Sequence, residues 1–294
     1  TVYLVNSMIV KDNKSHCHNI VFPLQSTIDG ILKANPKPSY IVDQPVLCLE
    51  YNTSHFGHFV AEVLGSLLFL AHCQHSSSTL KRFCIVLVVP SPSWYALICE
   101  LCPFADFIVL DTKYLLDHKV RLNNCIVAPL LSSFQSLSYA RNYLLSFFDT
   151  LTDNASFENI FLRTAGNSRV ENISDLLFWA EDNSFVIIDP TELSSKEYLL
   201  LLHNAKRVIC EQGSIALNTL LVRRSMTWIL TPSNIDSENL CDFAGGTSFN
   251  TLGEGVVKEF YCMPVEQKSS ERKHLYSQKV YVDIDKLNKQ VFSS

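Results

Sequence analysis

No apolar run in this sequence reaches the ~18–20 residues that a helix needs to span a bilayer, so nothing reads as a transmembrane segment. Also missing are G-x-x-x-x-G-K-[ST], G-x-G-x-x-G, G-x-S-x-G and H-E-x-x-H. Their absence argues against a P-loop NTPase, an ordinary dinucleotide enzyme, a serine hydrolase and a zincin. There is no internal repeat at a solenoid period and no low-complexity tract. The opening Thr1-Val2-Tyr3-Leu4-Val5-Asn6 has no basic n-region and no cleavage site, so it does not read as a signal peptide. The chain does not open on Met, and a targeting segment ahead of it stays an open question. Charge is sparse, at 18% of residues, with a net charge of −5 and a pI near 6. That balance argues against a general nucleic-acid binder.

What is present is an apolar, core-forming chain. With 294 residues and 47% apolar content, it has enough material for one large or two ordinary domains. Of its ten cysteines, Cys48, Cys84, Cys125 and Cys210 sit inside apolar, strand-like runs. A free Cys in such a place acts as a small hydrophobe. The spacing is not that of a disulfide scaffold, which points to a reducing, cytoplasmic compartment.

In chain order, Val2–Val5, 20–22, Tyr40–Val42 and Val46–Leu49 read as short strands, with Asn35-Pro36-Lys37-Pro38 as a break. From about Gly57, apolar residues recur at helical spacing through Leu70. Phe83–Val89 is the near-continuous run of a fully buried strand. Pro90-Ser91-Pro92-Ser93 precedes a helix over 94–102, and 106–110 and 120–127 read as strands. A helix over 136–151 carries Tyr139, Tyr143 and Phe147 on one stripe. The polar segment 151–156 divides the chain into domains 1–152 and 153–294. In the second domain the expected order is strand 159–163, helix 171–182, strand 185–188, helix 198–205, strand 207–210, helix 214–222 and strand 226–230. Ser194 and Glu197 form a capping-box pattern that opens the helix over 198–205. Gly245-Gly246 and Gly253-Glu254-Gly255 mark loops, 280–285 a last short strand with a cap, and 286–291 a terminal helix. Strand–helix alternation of this kind implies βαβ units and a parallel sheet, an α/β fold.

The candidate site lies between Ile160 and Asn218. Arg163 ends an apolar strand, and Arg169 follows across a polar loop that holds Gly166. Two guanidinium groups there can grip a diphosphate bidentately; the alternative is a solvated loop. Gln212-Gly213-Ser214 ends another strand. Gly213 would let the backbone approach a ligand, with Ser214 as helix cap or phosphate donor; the alternative is a turn that simply needs a small residue. Asn218 lies one turn on, facing the same way as Ser214, or is a buried Asn bonded to a neighbouring loop. Ligands of open parallel sheets bind at the carboxyl ends of strands. The best-fitting anion for these groups is the diphosphate of a nucleotide-sugar.

His58 and Glu62 share one face where a helix leaves a strand. Either could take a proton from an acceptor hydroxyl, or serve only in capping, packing or helix solvation. Asn172 and Asp175, at a helix start, read as reciprocal N-capping. Cys99-x-x-Cys102 reads as core. His55/His58, His72/His75 and His16-Cys17-His18 lack a matching Cys or carboxylate set, so no metal site is expected.

Three blocks together resemble the family-61 glycosyltransferases, including the bacterial capsular-polysaccharide members. Asn52 through Glu62 is similar to the block with a His and a downstream acid. Phe161-Leu162-Arg163 followed by Arg169-x-x-Asn172 is similar to the strand-Arg with its Arg and Asn pair. Cys210-Glu211-Gln212-Gly213-Ser214 with Asn218 resembles Gly-x-His-Gly-Ala followed by Asn, with Gln212 in place of the His and Cys210 in place of the first Gly. The resemblance implies a GT-B fold, two Rossmann-like domains facing a cleft, with a terminal helix that can cross back to the first domain. It implies inverting transfer of a sugar, of the xylose or N-acetylglucosamine class, from a UDP-sugar to a glycan acceptor. No cofactor and generally no metal is required. The N-terminal domain would hold the acceptor, with peripheral membrane contact through it allowed, and the C-terminal domain the donor. His58 or Glu62 would be the catalytic base. Arg163, Arg169, Gln212, Gly213, Ser214 and Asn218 would bind the donor. Two other readings stay open: a different glycan-modifying transfer such as ketal pyruvylation, and a non-catalytic nucleotide- or glycan-binding module.

Overall fold

The computed structural model describes residues 2–5, 8–11, 14–16, 40–49, 56, 59–75, 83–89, 91–111, 114–115, 118–128, 134–151, 159–163, 168–213, 215–216, 218, 226–233, 257–265 and 279–293. They fall into two compact units, Thr1–Ala140 and Arg141–Ser294. The division lies inside one helix, Phe134–Asp149.

In the first unit, β1 (Val2–Val5), β2 (Met8–Lys11), β3 (Lys14–His16), β4 (Tyr40–Val42) and β8 (Lys119–Leu122) form one sheet in the order β3-β2-β1-β8-β4. A second sheet holds β5 (Val46–Leu49), β6 (Phe83–Val89), β7 (Ala105–Asp111) and β9 (Cys125–Ala128) in the order β7-β6-β5-β9, all parallel. β2 and β3 are strands that the apolar pattern does not announce, and the strand expected at 20–22 lies outside the described residues. The single strand expected over 120–127 is two strands in two sheets. Its break comes at Asn123-Asn124, level with the break between β4 and β5. There the side-chain amides take over from the ladder: Asn123 Nδ2 donates to Asp43 Oδ1 and Asn124 Nδ2 to Asp43 O at 2.8 Å.

β5 leads into a π-helical turn, Phe59–Leu64, that continues as helix α1, Gly65–His75. Phe59, Val63, Leu64 and Leu67 are fully buried, which accounts for the apolar helical spacing of this stretch. Helix α2 (Pro92–Leu101) opens with Pro92 after Ser91, where a missing N–H costs nothing. On it Cys102 is buried while Cys99 is exposed, so only half of that Cys pair belongs to the core. Burial pushes the Cys102 thiol up to about 12.

The second unit opens with the end of helix α3, Phe134–Asp149. Its buried stripe is Leu144 and Phe148, next to the stripe that holds Tyr143 and Phe147, of which Tyr143 is exposed. The sheet holds β10 (Asn159–Leu162), β11 (Val186–Ile188), β12 (Arg207–Glu211), β13 (Met226–Pro232), β14 (Val257–Pro264) and β15 (Val280–Tyr281), in the order β11-β10-β12-β13-β14-β15. All pairs are parallel except β14–β15. α4 (Ile173–Asp182) and α5 (Ser195–Asn204) are the crossovers. The capping box that opens α5 is reciprocal: Ser194 Oγ accepts from Glu197 N, and Glu197 accepts from Ser194 N.

β14 escapes sequence reading because its apolar residues alternate. Phe260 and Cys262 are buried while Tyr261 and Met263 are exposed, as on a strand with one covered face. The terminal helix α6 (Ile284–Phe292), capped by Asp283, buries Leu287 and Val291 in the same core as Phe161, Ile209 and Trp228. The chain is therefore α/β, with parallel sheets in both units.

Candidate functional site

Strand order decides where a parallel sheet binds ligands. In the six-stranded sheet of the second unit the chain leaves β10 for β11 on one side, then returns to place β12 on the other. Counted from β10, the order is 2-1-3-4-5-6, and the switch point lies between β10 and β12, outside their carboxyl ends. The segments that leave those ends are 163–172 and 212–218.

The two segments are joined by Glu211, the last residue of β12. It is 2% exposed. A carboxylate so buried must be satisfied, and both of its oxygens are. Ser168 Oγ donates to Oε1 at 2.7 Å, and the Arg169 backbone N–H donates to Oε2 at 2.9 Å. Ser168 Oγ in turn accepts from Val170 N at 3.0 Å. On the far side, Val280 N donates to Arg169 O, Glu171 N donates to Val280 O, and Lys279 Nζ donates to Ser168 O at 2.9 Å.

Around these residues lies a small open cleft of about 10 Å³, room for roughly one water, lined by Arg169, Glu211, Gln212, Leu230, Pro232 and Val280 among others. The Arg169 guanidinium is partly buried and makes no hydrogen bond or ion pair among the described residues. Burial lowers its pKa, opposed by the charge of Glu211. Gly213 has φ +133°, and a Cβ there would stand 2.8 Å from Arg169 Nη2. Gln212 is 6% exposed, continues the ladder by donating its N–H to Leu230 O, and has a buried Oε1 without a partner among the described residues. Cation and amide thus offer ligand-binding capacity that no described residue takes up.

The sequence-predicted residues divide as follows. Arg169, Gln212 and Gly213 come together at the cleft. Arg163 follows β10 directly, with its N–H on Ile188 O, but its exposed side chain is not in the cleft lining. Ser214 and His58 lie outside the described residues. Glu62 sits on the π-helical turn that follows β5 in the chain, and the order of that strand's sheet, β7-β6-β5-β9, puts a switch point beside β5. Asn218 is buried and donates to Tyr198 Oη at 3.0 Å, tying its segment to α5 and not lining the cleft. Tyr198 is fully buried, which raises its pKa. Ile215, Ala216 and Asn218 have 3₁₀ geometry, with Ala216 N on Gly213 O at 2.9 Å; the rest of the helix expected over 214–222 lies outside the described residues.

Two functional positions elude sequence reading. Glu211 carries a signal, a carboxylate directly after the apolar run Val208-Ile209-Cys210, that demands partners. Asn172 is not the reciprocal cap expected of it: its side chain makes no cap hydrogen bond. Instead Nδ2 donates to Val282 O at 2.9 Å and Oδ1 accepts from Val282 N at 3.0 Å.

Comparison with known proteins adds the family. No curated protein matches the chain. Among solved structures, E. coli heptosyltransferase WaaC with ADP-2-deoxy-2-fluoro heptose is similar at 10% identity, over 66% of this chain and 90% of that one, with a TM-score of 0.33. The family model Glycosyltransferase 61 matches residues 56–229, more than half of the chain. That span contains the cleft residues Arg169, Glu211, Gln212 and Gly213 and the turn bearing Glu62. On that match the chain belongs to the glycosyltransferase 61 family.

Proposed function

We propose that this chain is an inverting glycosyltransferase that moves a sugar from a UDP-sugar onto a glycan hydroxyl, in polysaccharide or glycoconjugate synthesis. The observation that carries this is the Arg169 guanidinium, held partly buried over Gly213 at the β10/β12 switch point with no described partner. A charge desolvated and fixed in this way is preorganised for an anion. In this reading Arg169 grips the leaving diphosphate, helped by Arg163 and by the segment at Gly213-Ser214. Gln212 contributes its free Oε1 as an acceptor for a hydroxyl or N–H of the donor. Asn218 acts at one remove, by fixing that segment to Tyr198. His58 or Glu62, from the first unit, takes the proton of the acceptor hydroxyl. Loss of the true base should lower kcat by about 10²–10⁴-fold. Near-normal turnover in both Glu62→Gln and His58→Ala would remove them from the mechanism.

The direct test is thermal shift against UDP-, GDP- and CMP-sugars, with and without EDTA. A ligand that binds only the folded state raises the midpoint. A UDP-specific rise that survives EDTA is the expected result, and no rise with any nucleotide would overturn the donor reading. One observation favours a second reading, a non-catalytic nucleotide- or glycan-binding module. Gln212 stands where family members carry His, and an amide does not titrate. That reading predicts binding without turnover.

A further inference from the structure

We infer that Glu211 is a positioning residue: its carboxylate fixes the Ser168–Arg169 segment so that the Arg169 guanidinium stands over Gly213, in the cleft where a diphosphate would bind. The inference rests on the donor-site reading above. Three observations carry it. Both Glu211 oxygens are spent on this one segment, reached across 43 and 42 residues of chain. The Arg169 peptide is held from both sides, its N–H by Glu211 and its C=O by Val280 N at 2.9 Å. The side chain is then the part left to meet a ligand, and it rests on Gly213, where a Cβ would displace it.

The choice of a carboxylate matters as well. An amide could accept one of the two bonds. Only an anion accepts both at full strength, since hydrogen bonds to a charged acceptor are roughly twice as strong as neutral ones. The same charge opposes the burial that would otherwise disfavour the cationic form of Arg169. Glu211 touches neither sugar nor acceptor in this scheme; it acts through Arg169.

The test is a double-mutant cycle read by calorimetry with UDP as the probe, in the full chain. E211Q should weaken UDP binding about tenfold, the size of one charge-assisted hydrogen bond. In an R169A background the same change should cost less than about twofold, the usual error of additivity. An equal loss in both backgrounds would overturn the inference, because a role in general folding does not pass through one side chain. Hydrogen exchange supplies an arm that needs no ligand: the peptide containing Ser168 to Val170 should exchange faster in E211Q. Unchanged exchange would also overturn the inference. If the wild-type chain binds no UDP, the donor reading falls and exchange alone decides the clamp. If E211Q does not fold, S168A removes one of the two bonds to Glu211 together with the Val170 N–H bond to Ser168 Oγ, so UDP binding is the readout. It should weaken in S168A and not in S168A/R169A relative to R169A, and an equal loss in both would overturn the inference.

Discussion

The Arg169 guanidinium rests on Gly213 so closely that a Cβ built there would stand 2.8 Å from Nη2. With φ at +133°, the position is also one that L side chains rarely adopt. Gly213→Ala should therefore add about 1–3 kcal/mol of backbone strain and push the guanidinium aside. The expected outcome is a raised KM for the nucleotide-sugar together with a lower thermal midpoint. A normal KM in a folded Gly213→Ala variant would show that Arg169 does not hold the donor.

Arg169→Lys separates charge from geometry. Lysine keeps the positive charge but loses the planar fork that grips two phosphate oxygens at once. If Arg169 stabilises the leaving diphosphate, Arg169→Lys should fall well below wild type in kcat/KM. Arg169→Ala should lose about 10²–10³-fold in kcat, the range for removal of one preorganised donor. Steady-state kinetics at saturating acceptor would measure both. Wild-type kinetics for Arg169→Ala would place the donor elsewhere.

Asn172 is the hinge pin between the 168–172 segment and the C-terminal strand, because its amide pairs with both the N–H and the C=O of Val282. Asn172→Asp keeps the shape and one acceptor but cannot donate, and it sets a carboxylate against a carbonyl. Leaving such a buried partner unsatisfied costs about 1–3 kcal/mol. At roughly 2–4 °C per kcal/mol for a unit of this size, differential scanning fluorimetry should resolve the drop. A midpoint unchanged in Asn172→Asp would mean that the clamp contributes nothing.

The capping box of α5 gives a pH prediction. Hydrogen bonds from Ser194 Oγ and N hold the Glu197 carboxyl below its ordinary value of 4.5. A carboxyl depressed in the folded state binds its proton more weakly there than in the unfolded chain. The stability it adds is therefore present above about pH 4.5 and is lost as the pH falls through the folded value. Glu197→Gln should flatten that acid limb in urea melts taken from pH 7 to pH 3. Ser194→Ala should cost about 0.5–2 kcal/mol at pH 7 as well, as the loss of an N-cap does. An acid limb identical in wild type and Glu197→Gln would refute the assignment.

Local chemistry was enough to read most of the second unit. The apolar runs that became β10, β12 and β13 are buried along almost their whole length, which is why they stand out in a sequence of alternating character. Ser194 and Glu197 sit three apart, and the capping box needs only that spacing. β14 was not legible, because its alternation of buried Phe260 and Cys262 with exposed Tyr261 and Met263 matches the background of a polar tail. Asn172 was misread as a cap because the residue it pairs with, Val282, lies 110 positions away.

What the sequence determined by itself was most of the helices and buried strands, β2, β3 and β14 excepted, together with the polar residues at strand ends and the order of the three family blocks. Periodicity and spacing are short-range properties, and those features depend on nothing else. Only the tertiary structure decided that β11 and β12 flank β10, so that the segments after β10 and β12 meet at one switch point. It also decided which side chains serve the cleft and which serve the frame. Arg169, Gln212 and Gly213 meet there, while Asn218 turns away to Tyr198. The reason is physical: a hydrogen bond across 40 or 110 residues is chosen by the packing of the whole sheet, and no local pattern records it.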